Sequence, residues 1–293
     1  MSLYTIAQLA ELSGIKPHTI RIWEKRYNLL MPERTNTNIR RYDDSQLRRL
    51  LNTVTLLNSG VKISTIASYT EKEINELIDK KIEEHKSPDS LTEILINKLF
   101  AAGIIYDEAA FEKVFNSAIE KFGVKQTYIK IIYPLLVRAG FMWLNTSLSP
   151  SQEHFASNLI RRKLFSVIDS IPLPTKQKQK WILFLPENEY HEIGLLFAYY
   201  LIRSAGHSVV YLGTHIPYGE LVITANDYNP THILFFSVHK LPKSSLQRYI
   251  KTMESELKKI SIVVSADSYE LKTIKPGKNV HLVSSVEGLE KLL

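Results

Sequence analysis

The chain has 293 residues, a formal net charge of +7 and no cysteine. The absence of cysteine excludes disulfides, thiolate metal sites and cysteine nucleophiles. It begins MSLYTIAQLAELSG, without the basic and apolar regions of a secretion signal, and no run reaches the roughly 18 apolar residues of a membrane span. We expect a cytoplasmic protein of two or three domains with no membrane partner.

The first 62 residues carry most of the positive charge. They contain ten Lys or Arg and five Asp or Glu, a net charge of +5. Basicity concentrated in one short segment favours a polyanionic partner for that segment.

Two short helices joined by a glycine turn are predicted here. In TIAQLAELSG, Thr5 is a candidate N-cap and Gly14 ends the helix. In KPHTIRIWEKRYNLL, Pro17 opens a second helix, and either Ile22 or Trp23 turns inward. This is the pattern of a helix-turn-helix, whose second helix can enter a major groove, and MPERTNTNIRRY then reads as a polar wing.

These residues resemble the DNA-binding domain of the MerR family over about the first 75 residues. The turn at Gly14, the run Arg21-Ile-Trp-Glu-Lys-Arg26-Tyr27, the Pro32-x-Arg34 step and the wing Arg40-Arg41-Tyr42 occur in the family's order. The resemblance implies a winged helix-turn-helix on a two-fold symmetric operator in double-stranded DNA. The residues implied to face bases are His18, Thr19 and Arg21. Those implied to contact phosphates are Arg26, Tyr27, Arg40, Arg41 and Tyr42. The alternative is that these charges form only a solvated helical face.

The predicted fold is multidomain and mixes all-α and α/β parts. Residues 1–86 form the α winged helix-turn-helix and residues 87–175 an α four-helix bundle, because short polar breaks separate four helical patterns. The predicted helices of the bundle are 89–101, 107–122, 126–145 and 150–170. After the linker IPLPTKQKQK, residues 178–293 alternate apolar strands with helices, which predicts a Rossmann-like doubly wound parallel sheet. The predicted strands contain WILFLP, SVVYLG, HILFFSV and ISIVVSA.

The loop after the first of these strands carries Glu189-x-His191-x-x-Gly194. A histidine on such a loop can bind a metal while the carboxylate holds its other nitrogen. The alternative is a solvent-exposed loop histidine. Residues 178–293 also resemble the cobalamin-binding domain of methionine synthase and its relatives. That resemblance implies that His191 is the lower ligand of cobalt, in the Glu189-x-His191-x-x-Gly194 loop, and that Ser237 lines the pocket of the nucleotide tail.

One position departs from that family. Where it commonly has Gly-Gly after the fourth strand, this chain has Ser265-Ala266. Their side chains could crowd the tail, because glycine is what lets a ligand approach the backbone closely.

The bundle carries a second motif, in FMWLNTSLSPSQEH. Trp143 is followed by nine residues and then by Glu153 and His154. With the domain order, this spacing resembles the CarH/LitR light-responsive repressors, which implies that the three residues cover the upper face of adenosylcobalamin. Leu144 stands where light-sensing members can have a histidine, so a bis-histidine cobalt adduct from that position is excluded. The alternative places Trp143 in the bundle core and the other two on the surface.

The expected function is a photoreceptor-like repressor whose operator binding and assembly depend on adenosylcobalamin held between the bundle and the C-terminal domain. A second hypothesis is a cobalamin-independent repressor whose C-terminal domain docks a protein such as an antirepressor, and a third is a corrinoid carrier. The motifs contain no nucleophile, base and oxyanion-hole set, so we do not expect an enzyme. TEKEINELIDKKIEEH is too short for a long dimerising coil, so homo-oligomer formation is expected to depend on the other domains.

Overall fold

A computed structural model shows how these segments fold. It describes residues 3–35, 37–84, 88–144, 148–175, 179–238 and 243–293. The chain divides into two compact units, Met1–Leu159 and Ile160–Leu293, and the division falls inside a long helix. The boundaries predicted at residues 86 and 175 remain predictions. Among the described residues, no helix is both long enough and apolar enough to cross a membrane.

The first unit is helical apart from a two-stranded antiparallel hairpin. Its helices, the last of which continues into the second unit, are α1 (Ile6–Ser13), α2 (Pro17–Tyr27), α3 (Asp44–Asn58), α4 (Ile63–Ala67), α5 (Glu71–Glu84), α6 (Pro88–Ile104), α7 (Glu108–Thr127), α8 (Tyr133–Leu144) and α9 (Pro150–Asp169). The hairpin strands are β1 (Glu33–Arg34) and β2 (Arg40–Arg41).

The start of the first unit follows its local capping signals. Thr5 caps α1, with its hydroxyl accepting from Gln8 N, and Gly14 ends the helix in the left-handed region at a φ of 71°. In α2, Trp23 is buried and Ile22 is exposed, which decides between the two residues that the periodicity left open.

The head, which we define as residues 3–84 without residue 36, packs on the helices that follow it. Helix α3 lies against α6, and α6 against α7. Helix α7 is kinked at Gly123, which has the non-helical angles φ 70° and ψ 164°, and the π-helical turn Tyr128–Ile132 joins α7 to α8. The predicted break after residue 122 therefore coincides with a glycine that provides the positive φ.

The second unit contains a five-stranded sheet in which every adjacent pair is parallel. Its strands are β3 (Lys180–Pro186), β4 (Ser208–Ile216), β5 (His232–Ser237), β6 (Ser261–Ala266) and β7 (Val280–Val283). Its other helices are α10 (Ile193–Ser204), α11 (Tyr218–Tyr228), α12 (Lys243–Glu256), α13 (Ser268–Leu271) and α14 (Val286–Glu290).

The strand order is β4-β3-β5-β6-β7. The order reverses between β3 and β5, and ligands of open parallel sheets bind at such a reversal, beyond the carboxyl ends of the strands. The predicted fold class is confirmed.

Candidate functional site

The exposed face of α2 carries the residues predicted to face DNA bases. Ile20 and Trp23 are buried and hold the helix against the head. His18 and Arg21 are exposed and Thr19 is half-buried. All three candidates lie in the first two turns of α2. Of the predicted phosphate contacts on this helix, Arg26 is exposed, with its guanidinium 5.4 Å from the ring of half-buried Tyr27.

The wing is held against α2 by one carboxylate. Arg40 Nε donates to Glu24 Oε2 at 3.0 Å, and the hydroxyl of Tyr42 donates to Glu24 Oε1. Tyr42 is fully buried. This burial raises the pKa of its hydroxyl, and the hydrogen bond to Glu24 raises it further. The phosphate contact predicted for Tyr42 is not supported, because the structure buries this side chain and directs its hydroxyl to Glu24 inside the head. Arg41, next to it, is half-buried.

Glu24 is a residue that the sequence analysis missed. Its place in the Trp-Glu-Lys run marks it as helical, but no local pattern shows that it accepts from the wing.

The start of α9 brings Glu153 and His154 together. His154 Nδ1 lies 2.9 Å from Glu153 Oε2, and the other carboxylate oxygen accepts from the Ser157 hydroxyl. The His154 side chain is 74% exposed and that of Glu153 31%. Trp143 lies in α8, but its side chain is outside the described residues, so the structure does not place the predicted third member.

The loop after β3 holds His191 in a defined orientation. His191 Nδ1 lies 2.6 Å from Glu189 Oε1, whose side chain is only 6% exposed while that of His191 is 53% exposed. An ionised carboxylate only accepts hydrogen bonds, so Nδ1 carries the proton. The Nε2 atom is then the nitrogen suited to a metal, as in carboxylate–histidine–metal arrangements.

Glu189 also ties this loop to the end of β5. Its Oε1 accepts from the backbone N–H groups of Tyr190 and His191, each at 3.0 Å, and its Oε2 accepts from Val238 N at 2.8 Å. Val238 directly follows Ser237, the last residue of β5. The predicted metal ligand and the predicted tail-pocket serine therefore flank the same strand-order reversal. The bond to Val238 N was not foreseen, because a backbone donor leaves no mark in the sequence.

Two features of this end of the sheet test whether a corrinoid fits. Ser237 Oγ is buried and has no hydrogen-bond partner in the described part of the chain, which is unusual for a polar atom unless a ligand completes it. At Gly194, a Cβ would lie 2.9 Å from the ring of Phe236, so any larger residue would require that ring to move. The Ser237 hydroxyl is therefore a group that a bound ligand could complete, while Gly194 brings α10 close to β5.

The departure at the end of β6 lies next to Ser237. Ala266 pairs in register with Ser237, and Ser265 and Ala266 are both half-buried. Ala266 is therefore the neighbour of Ser237, while Ser265 pairs with Phe236. The unpartnered hydroxyl of Ser237 and the oriented imidazole of His191 fit a corrinoid.

Glu192, which directly follows His191, also anchors the loop after β3. Glu192 accepts from Arg161 Nη1 and from the Tyr211 hydroxyl, both at 2.7 Å. Tyr211 stacks on Tyr199 with ring centroids 5.3 Å apart. The part of α9 in the second unit is thereby bonded to the loop that presents His191.

Comparison with known proteins identifies two segments of the chain. Residues 4–73 match the sequence profile of the MerR HTH family regulatory protein, and residues 95–166 match that of a B12 binding domain. The HTH-type transcriptional repressor CarH of Myxococcus xanthus is 30% identical over 220 residues, which cover 74% of this chain and 73% of CarH. The repressor CarA of the same organism is 25% identical over 218 residues, or 74% of this chain and 70% of CarA.

A solved structure shares the fold. The Methanosarcina barkeri monomethylamine corrinoid protein superposes with a TM-score of 0.54 at 14% identity, covering 68% of this chain and 96% of that one. At this identity the likeness shows a common architecture of helices and parallel sheet.

Proposed function

The chain belongs to the CarH type of MerR-family transcriptional repressors, with a DNA-binding head and a B12-binding domain, and from that premise we propose that adenosylcobalamin controls its binding to operator DNA. Its relatives are transcriptional regulators, and the chain is a regulator and not an enzyme. The observation that carries the proposal is the bond from His191 Nδ1 to buried Glu189, which prepares the opposite ring nitrogen for cobalt.

The proposed cofactor contacts divide between two faces of the corrin. His191 is the lower ligand, oriented by Glu189, and Ser237 meets the nucleotide tail. Glu153 and His154, with Trp143, cover the upper face, where the Glu153 carboxylate accepts from ribose hydroxyls. When bound, adenosylcobalamin supplies a cobalt–carbon bond that light can break. Leu144 carries no group that could bind cobalt afterwards.

The proposed DNA contacts follow from the exposed face of the head. His18, Thr19 and Arg21 read base edges, while Arg26, Tyr27, Arg40 and Arg41 position the head on phosphates. A two-fold symmetric operator requires two heads, so the active form is a homo-oligomer. A cofactor that binds one assembly or conformation more tightly shifts operator occupancy by linkage.

A second function is supported by Ser265 and Ala266. If their side chains exclude the nucleotide tail, the chain is a cobalamin-independent repressor, and its C-terminal domain docks a protein partner such as an antirepressor. A measurement of cobalamin binding by the wild-type protein distinguishes these two functions.

The test is purification in darkness with adenosylcobalamin, followed by size-exclusion chromatography and absorption spectroscopy. We expect a corrinoid spectrum to co-elute with the wild-type protein and with His281→Ala, a control histidine on β7, and to be reduced in His191→Ala. Operator affinity, measured by gel shift in darkness, should differ with and without the cofactor, and illumination should remove the difference. Absence of the corrinoid from the wild-type protein would overturn the proposal in favour of protein docking.

A further inference from the structure

Gln152 is a buried polar residue at the start of α9, adjacent to the proposed upper cofactor face. Its side chain is 2% exposed, although Ser151 before it and His154 shortly after it are exposed. Burial of an amide is costly unless its donors and acceptor are bonded, so the partners of Gln152 report what holds it there.

The partners of Gln152 come from three parts of the first unit. Its Oε1 accepts from Ser149 N at 3.1 Å and from Ser149 Oγ at 3.0 Å, which caps α9. Its Nε2 donates to the carbonyl of Ile104, at the end of α6, at 2.9 Å and to the Tyr4 hydroxyl at 3.1 Å. The capping bonds agree with the Ser-x-x-Gln pattern in the sequence, but the bond to Tyr4 spans 148 residues of chain and has no local signal.

From Tyr4, direct contacts continue to the DNA-reading elements. The Tyr4 hydroxyl donates to Asp44 Oδ1 at 2.8 Å, at the start of α3, and this oxygen also lies 3.4 Å from Gln152 Nε2. The Tyr4 backbone pairs with that of Tyr42 through hydrogen bonds of 2.7 and 3.0 Å. Tyr42 in turn bonds Glu24 on α2, the same carboxylate that holds Arg40 of the wing.

The other helix of the proposed cofactor face also reaches the head. Arg138 of α8, the helix that contains Trp143, donates to Asn97 Oδ1 at 2.7 Å and to the carbonyl of Leu12 in α1. Both α8 and α9 are thus bonded to the head through a buried or half-buried polar side chain.

We propose that Gln152 is a positioning residue that couples the upper cofactor face to the DNA-binding head through Tyr4. Gln152 and Glu153 are consecutive residues in one helical turn, so a change in that turn that moves Glu153 toward a cofactor also moves the Gln152 amide relative to Tyr4. The Tyr4 and Tyr42 pairing passes this change to α2 and the wing. This inference rests on the proposed function, because it concerns how cofactor occupancy reaches the DNA contacts.

The coupling is reciprocal if it exists. If the cofactor changes operator affinity by some factor, the operator changes cofactor affinity by the same factor. A change in Tyr4, which belongs to the head, must therefore alter the response to a ligand bound elsewhere in the chain.

The experiment measures the ratio of operator dissociation constants with and without adenosylcobalamin, in darkness, on full-length protein. Gln152→Met removes the amide at similar volume, and Tyr4→Phe removes only the hydroxyl. We expect each variant to bring the ratio closer to one by about two-fold to ten-fold, the range of one net hydrogen bond. Ser149→Ala is the matched control, because it weakens the cap of α9 but leaves both Nε2 bonds in place, and it should keep the wild-type ratio.

The outcomes separate this inference from the proposed function. A wild-type ratio of one would overturn the proposed function, and the coupling with it. The coupling alone would be overturned if the wild-type ratio differs from one and both Gln152→Met and Tyr4→Phe keep that same ratio. Thermal unfolding of each variant identifies loss of fold, and Tyr4→Phe, which removes a single oxygen atom, keeps the test decisive if Gln152→Met is unstable.

Discussion

At the scale of single residues, two carboxylates organise the two candidate sites. Glu24 accepts from Arg40 and Tyr42 and so fixes the wing against α2. Glu189 accepts from His191 and from Val238 N and so fixes the proposed metal ligand at the carboxyl ends of β3 and β5. In each site the carboxylate orients its neighbours before a ligand binds, which lowers the ordering cost of binding.

The wing residue Arg41 provides a test of phosphate contact. Replacement by Ala should weaken binding to every DNA sequence and reduce the slope of log affinity against log salt by roughly one unit, because one fewer counterion is released. Gel shifts at several salt concentrations measure the slope, and Lys251→Ala, in the second unit, is the charge-matched control. A slope equal to that of the wild type would exclude the contact.

His232 predicts a pH dependence of stability. Burial lowers its pKa to about 4, and nearby His281 and His207 lower it too, while its ring stacks on Trp181 at 4.3 Å. The unfolded chain, with a histidine pKa near 6.5, binds the proton more readily. Stability is therefore complete above pH 6.5 and decreases as the pH falls from about 6.5 to about 4.

Urea unfolding of the wild type and of His232→Phe across this range checks the assignment. The Phe ring preserves stacking on Trp181 and cannot titrate. The unfolding free energy of the variant should therefore depend less on pH than that of the wild type. Identical pH profiles for the two proteins would show that His232 is not responsible.

At the scale of elements, the junction between the His191 loop and α10 depends on close packing. Gly194 lies in the first turn of α10, directly under the ring of Phe236 from β5. A glycine at this position lets helix and strand approach each other, a known requirement of ligand-binding turns in doubly wound sheets.

Gly194→Ala should destabilise the second unit. A Cβ would lie 2.9 Å from Phe236, so the ring must move, and overpacking of this kind costs about 1–3 kcal/mol of unfolding free energy. Gly219→Ala in α11 is the control, since nothing lies within 4 Å of its Cβ position. Denaturant unfolding measures both, and adding Phe236→Leu to Gly194→Ala should restore part of the loss. Equal stability of the two alanine variants would refute the packing argument.

At the scale of the whole molecule, helix α5, which follows the helix-turn-helix, packs within the first unit. Helix α5 has 14 residues, and its Ile74 and Ile78 are fully buried within the first unit, where α5 packs on α3. These two isoleucines are therefore used inside the first unit, which agrees with assembly through other surfaces.

The assembly prediction is tested on the exposed side of α5. Lys72 and Glu76 form an exposed pair there at 3.8 Å. We exchange their charges in the double variant Lys72→Glu and Glu76→Lys. Light scattering on the full-length protein, in darkness with adenosylcobalamin, should give the same mass of the assembly as for the wild type. His191→Ala, in contrast, should lose any increase in mass that the cofactor produces. Dissociation caused by the exchange would place the interface on α5.

The sequence alone was sufficient where structure depends on near neighbours. The cap at Thr5, the turn at Gly14, the helix start at Pro17 and the alternation of strands and helices all follow from spacing within a few residues, and the structure agrees. The Glu189-x-His191 motif is of the same kind, since its two side chains bond to each other across one residue.

Tertiary structure decided the contacts between segments that are distant in the chain. Periodicity could not choose between Ile22 and Trp23, because both fall near the inner edge of α2 and only the packed head shows which is covered. Nor could it show that Tyr42 is buried or that Gln152 reaches Tyr4, since a polar residue is placed by its partner, and that partner is brought near only when the chain folds.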